Sequence, residues 1–178
     1  MKLSYTLPLV VGILGLVFGL AVFSSSEAFA GDDFLLKSNS AKLCLDGHAR
    51  GKDVKVSRCR TPFGAQRWDI DPESGQIKHT RRNLCLAVSN SNRANGARVV
   101  LWPCNEGTNQ RWILASNGPI RSALNGKCLD VSKVNQSAKR ANVHMWDCHL
   151  RKNQQWEKVR VPSNVKKKKR GKMFVPKK

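Results

Sequence analysis

The chain has 178 residues, a formal net charge of +20 and six cysteines. That length holds one domain with short tails, and the charge makes polyanion binding a function to weigh. No two cysteines stand at the two-to-four-residue spacing of a zinc knuckle, which argues against a structural metal site.

In chain order, Lys2 is followed by an apolar run from Leu7 to Phe23, then by Ser24-Ser25-Ser26 and Ala28-Phe29-Ala30. A basic start, an apolar stretch and a small-residue exit predict a secretory signal peptide over residues 1–30, cut before Gly31. The alternative is an uncleaved membrane anchor, since the 17-residue run is only slightly short for a span. The cysteines all come later, at 44, 59, 85, 104, 128 and 148. An even count behind a signal peptide predicts disulfides, and count alone leaves 15 pairings open. Residues 31–161 carry 23 Lys+Arg against 11 Asp+Glu, whereas residues 162–178 carry eight Lys+Arg and no acid. That tail, low in apolar content, is predicted to be disordered in isolation.

Between these ends the sequence repeats three times. Gln66-Arg67-Trp68, Gln110-Arg111-Trp112 and Gln154-Gln155-Trp156 are spaced by 44 residues and again by 44. Upstream of each stands Cys44-Leu45-Asp46, Cys85-Leu86-Ala87 or Cys128-Leu129-Asp130, with a second cysteine 15, 19 or 20 residues later. An aliphatic residue (Leu36, Ile77, Ile120) lies eight residues before each first cysteine. The register argues for pairing within each repeat: Cys44 with Cys59, Cys85 with Cys104, Cys128 with Cys148. Turn signals at Asn95-Gly96, Asn117-Gly118 and Asn125-Gly126 separate short strands, and residues 31–161 hold no sustained helical period. Such a unit cannot bury its own apolar face, whereas three stacked units can. The reading is all-β with three repeats.

The threefold Cys-Leu-Asp and Gln-x-Trp pattern resembles the ricin B-chain-type lectins, also called carbohydrate-binding module family 13, over about residues 33–160. The resemblance implies a β-trefoil of three pseudo-equivalent lobes and a carbohydrate-binding protein; with the signal-like start the expectation is a secreted lectin, non-catalytic and without cofactor. It implies glycans as ligands, without choosing among galactose, N-acetylgalactosamine, mannose and xylan.

Aligned on their second cysteines, the repeats read "DVKVSRC", "RVVLWPC" and "NVHMWDC". Strand side chains alternate between faces. Val54, Val56, Val99, Leu101, Val143 and Met145 therefore form a core face. Lys55, Ser57, Val100, Trp102, His144 and Trp146 point outward. Trp68, Trp112 and Trp156, which recur in every repeat, are predicted to be core. In the family that the chain resembles, a sugar is held by an aromatic ring, a carboxylate and amide side chains. Those roles fall in the third repeat on Asp130, His144, Trp146, Asn153 and Gln154. The second repeat keeps Trp102, Asn109 and Gln110 but has Ala87 for the aspartate and Val100 at the polar position, which leaves a weak site. The first has Ser57 for the aromatic, Lys55 at the polar position and Ala65 for the asparagine, and is predicted dead beside Asp46 and Gln66. The plainer alternatives are a turn-capping Asp130, a merely polar His144 and an ordinary exposed Trp146.

Three other functions compete. Cationic residues of the domain, with Lys166, Lys167, Lys168, Lys169 and Arg170, could hold heparan sulfate, nucleic acid or an anionic membrane. A trefoil could also serve as the cell-binding subunit of a multi-chain toxin. His48, His79, His144 and His149 show no triad, metal or paired-acid spacing, so no enzyme is expected. Asn135-Gln136-Ser137 is a possible glycosylation acceptor.

Overall fold

The computed structural model describes residues 33–40, 42–60, 64–115, 117–132 and 139–161. The expected signal peptide, the glycosylation acceptor and the basic tail lie outside them.

Thirteen short strands make up the described chain. The first repeat contributes β1 (Phe34–Ser38), β2 (Leu43–Asp46), β3 (Lys55–Arg58) and β4 (Trp68–Ile70). The second contributes β5 (Ile77–His79), β6 (Leu84–Val88), β7 (Val99–Pro103) and β8 (Trp112–Leu114). The third contributes β9 (Asn117–Gly118), β10 (Ile120–Ser122), β11 (Cys128–Val131), β12 (Arg140–Trp146) and β13 (Trp156–Arg160). All pairings between these strands are antiparallel. β1, β4, β5, β8, β10 and β13 follow one another around a ring. β1 pairs both β4 and β13, β4 pairs β5, and β8 pairs β10. A Gln76–Arg111 bridge joins the second repeat's two ring segments, and β9 ties β13 to the start of the third repeat. A closed ring leaves no unpaired edge for another chain to extend. Three hairpins, β2–β3, β6–β7 and β11–β12, complete the lobes, giving the β-trefoil. Asn117-Gly118 corrects one expectation: it forms a strand paired to Trp156 and Glu157 rather than a turn.

The period-two reading holds on the inward face. Val54, Val56, Val99, Leu101, Val143 and Met145 are all buried and join one core with Trp68, Trp112 and Trp156. Each of these three indoles donates its N–H to the carbonyl of the leucine after the first cysteine of its own repeat: Trp68 to Leu45 at 3.1 Å, Trp112 to Leu86 and Trp156 to Leu129 at 3.0 Å. A buried indole N–H needs such a partner. The three disulfides pair within repeats as the register indicated, with Cα–Cα distances of 4.9, 5.0 and 5.1 Å. Each ties a hairpin shut and is worth about 3 kcal/mol in the chain-entropy account.

One glycine is fixed by its surroundings. Gly75 has φ +69°, and a Cβ there would stand 2.9 Å from the Trp112 carbonyl oxygen. Its own carbonyl accepts from the Trp112 N–H at 2.8 Å, so this close backbone approach helps to join β5 and β8.

Candidate functional site

The third lobe's hairpin is built from cross-strand pairs. Leu129 faces Met145 and Val131 faces Val143 on the inward side, while Asp130 faces His144 and Cys128 faces Trp146 on the other. Strand alternation thus delivers a carboxylate, an imidazole and an indole to one surface. Trp146 is 41% exposed, and its ring lies 5.5 Å from that of His144, centroid to centroid. Asp130 is almost buried, which demands partners for its carboxylate.

A single 3-10 turn, Lys152–Gln154, supplies them. Asn153 Nδ2 lies 2.9 Å from Asp130 Oδ1 and 3.0 Å from Oδ2, and Gln154 Nε2 donates to Oδ2 at 2.8 Å. His144 Nε2 stands 3.4 Å from Oδ1 and His149 Nε2 stands 3.3 Å from Oδ2. Asp130, Ser132, His144, Trp146, His149, Arg151 and Asn153 together line a hollow of ≈ 570 Å³.

Gln154 takes a place other than the one expected. It is wholly buried and outside that lining. Its Oε1 accepts from the His149 N–H at 2.9 Å, and its Nε2 also donates to the Asp147 carbonyl at 2.9 Å. Gln66 bonds Arg60 N and Arg58 O in the same way, and Gln110 bonds Asn105 N and Pro103 O. The glutamine of each triplet therefore clamps the backbone on both sides of the second cysteine, and Gln154 positions Asp130 rather than reaching the hollow. His149 and Arg151 are the site residues that repeat alignment missed. Their signal was slight: His149 follows the second cysteine, a position whose side chain differs in every repeat (Arg60, Asn105, His149) while its N–H is always held.

The second lobe is smaller and differently filled. Its hollow of ≈ 320 Å³ is lined in part by Ala87, Val100, Trp102 and Asn109. Val100 stands on the outward face as expected, lining this hollow, but it is covered where the first lobe's Asp53 bridges to it. Asn109, with no carboxylate beside it, donates to the Val88 carbonyl at 3.0 Å, and Gln110 is buried. The Arg50 guanidinium lies over the exposed Trp102 ring, 4.8 Å from its centroid. In the first lobe, Asp46 Oδ2 accepts from Ser57 Oγ and from Gln66 Nε2, and His48 Nε2 stands 3.1 Å from Oδ1. Among the described residues, no group of three or more His, Cys, Asp or Glu side chains is placed to hold a metal ion.

A closed ring of strands capped by three disulfide-tied hairpins, one of which presents an indole beside an anchored carboxylate, defines a β-trefoil of the lectin type. The chain belongs to the ricin-type β-trefoil lectin domain family, whose model matches residues 28–112 and 74–174. It is 38% identical over 81 residues to an agglutinin of Ricinus communis, covering 44% of this chain and 14% of that protein. It is 37% identical over 95 residues to a seed lectin of Trichosanthes anguina, covering 53% and 17%. The chain thus spans less than a fifth of the length of these curated relatives. Among solved structures, the designed threefold-symmetric protein ThreeFoil superposes with a TM-score of 0.64 at 24% identity, covering 71% of this chain and 97% of that one.

Proposed function

We propose that the protein is a secreted, non-catalytic lectin that binds glycans mainly through the third lobe. The observation that carries this reading is that the Trp146 indole and the Asp130 carboxylate line one open hollow with Asn153. A pyranose has one C–H face and several hydroxyls. The indole covers the face by apolar contact. Asp130, its carboxylate oriented by Asn153 and Gln154, accepts from neighbouring hydroxyls, and His144, His149 and Arg151 offer further polar contacts. The second lobe lacks the carboxylate and carries Arg50 on its indole, so it adds little. Secretion rests on the signal-like residues 1–30 and on the placement of all six cysteines in disulfides.

A glycan array run with the parent chain and with Trp146→Ala and Trp102→Ala tests this. Loss of neutral-glycan signal with Trp146→Ala, and retention with Trp102→Ala, is the expected result. Retention with Trp146→Ala removes the third-lobe assignment.

A further inference from the structure

We propose that the first lobe, whose sugar machinery is dismantled, is a separate binding site for sulfated saccharide units of an acidic polysaccharide. Where the third lobe has its indole, the first has Ser57, whose hydroxyl is spent on Asp46; where the third has Asn153, the first has Ala65. A neutral sugar finds no indole floor here, and the amide that lines the hollow, Gln66, is committed to Asp46, Ser57 and the backbone of Arg58 and Arg60. The hollow itself persists, at ≈ 590 Å³ against ≈ 570 Å³ in the third lobe. Arg58, Arg60, Lys139 and Arg140 line it, and an adjoining hollow that shares Arg140 adds Lys52 and Lys55. All six side chains are exposed.

Two lobes build this cluster. β12 of the third repeat pairs with β3 of the first, setting Arg140 opposite Ser57 and Asn142 opposite Lys55. The nearby acids do not neutralise it. Asp46 is buried and hydrogen-bonded by Ser57 and Gln66, and Asp53 is paired with Arg98 at 2.6 Å. Among the described residues, no carboxylate forms an ion pair with Lys52, Lys55, Arg58, Lys139 or Arg140. Like charges gathered at a concave surface repel one another, and an oxyanion seated among them relieves that repulsion. Guanidinium forks give such an anion paired, charge-assisted hydrogen bonds. Among the described lining residues there is no Trp, Tyr or Phe, and the one ring, His48, stands with Nε2 3.1 Å from Asp46, so a run of stacking platforms such as single-stranded nucleic acid uses is missing.

The test is calorimetric titration of the full chain with a sulfated heparin-derived tetrasaccharide at about 50 and about 200 mM salt. Arg58→Ser with Arg140→Ser is expected to weaken binding ~10-fold or more and to flatten its salt dependence. Replacing Lys166, Lys167, Lys168 and Lys169 together by serine, or Trp146 by alanine, is expected to change it less than ~2-fold, since the proposed site uses neither. Because Trp146→Ala removes neutral-glycan binding under the third-lobe reading and leaves this binding intact, the two assignments fail separately. Should the serine double variant not fold, Arg58→Lys with Arg140→Lys, together with amide chemical shifts of the parent during titration, decides the matter. Shifts at Arg58, Arg140 and their neighbours support the site, and shifts confined to residues 162–178 overturn it. Undiminished binding by a folded Arg58→Ser, Arg140→Ser variant overturns it too. So does equal affinity for the desulfated tetrasaccharide, or displacement of the sugar by an equally charged single-stranded oligonucleotide.

Discussion

The triplet glutamines and their neighbouring tryptophans act as fasteners. Gln110 is fully buried, and both ends of its amide are committed to backbone on either side of Cys104. Truncation leaves a part-buried N–H and a part-buried carbonyl without partners, at about 1 kcal/mol. Gln110→Ala and Gln154→Ala are therefore both expected to lower the unfolding free energy by that amount, read from urea denaturation, while only Gln154→Ala, which also removes a donor to Asp130, weakens glycan binding. A second buried polar group makes stability depend on pH. His79 packs edge-on against Trp68, stands with Nε2 3.1 Å from the Gly47 carbonyl, and accepts from the Arg81 N–H at Nδ1. Desolvation, and after it the charge of Arg82, holds its pKa below the ordinary 6.5. As pH falls through 6.5 the unfolded chain takes up a proton that the folded chain refuses, so stability drops toward the lower folded value. His79→Ser is a natural test, because Ser38 and Ser122 hold the matching positions opposite Trp156 and Trp112. It is expected to flatten the fall in urea midpoint between about pH 7 and about pH 5, even if it lowers stability throughout. At this scale the sequence separated the two kinds of tryptophan, since recurrence marks the core set and strand parity marks Trp102 and Trp146. It could not tell that Gln154 faces inward, because a buried fastener and a ligand contact share the same polar side chain.

The hairpins and the seams between repeats carry the next level. At Gly75 the left-handed backbone and the Trp112 carbonyl both exclude a side chain, whereas Gly126, at φ +72°, has open space around its Cβ position. Gly126→Ala is expected to cost about 1 kcal/mol from backbone conformation alone, and Gly75→Ala appreciably more, as it pries β5 from β8. Differential scanning calorimetry of the two variants, read against the parent, checks the order. The all-β class, the threefold repeat and the disulfide register were legible from three aligned repeats. Contacts between repeats were not. Val100 is covered by an approach from the first lobe, and Asn117-Gly118 is recruited as a strand by Trp156 and Glu157. Local spacing holds no information about a partner from another repeat.

Across the molecule, one trefoil presents three unlike surfaces: a cationic hollow, a hollow whose exposed indole has Arg50 over its ring and no carboxylate, and a hollow pairing an exposed indole with a fixed carboxylate. A neutral monosaccharide is expected to titrate with a stoichiometry near one per chain. Its affinity should lie in the millimolar to high-micromolar range, about 4–6 kcal/mol, as a shallow site permits. A stoichiometry near three overturns the division of labour among the lobes. The sequence identified which lobe keeps its full residue set, but it treated the first lobe's departures as losses. The charged seam arises only where β3 and β12 meet, and they lie more than 80 residues apart in the chain.

That shared β12 strand has Arg140 at one end and Trp146 at the other, separated by roughly 20 Å of extended backbone. If both proposed sites act, a long, unevenly sulfated polymer would lay a charged stretch and a bare stretch along a single strand, each held weakly and both held together. On these two assignments grip would measure the pattern along the polymer, and chains too short to bridge the two ends would be held only as weakly as one end allows.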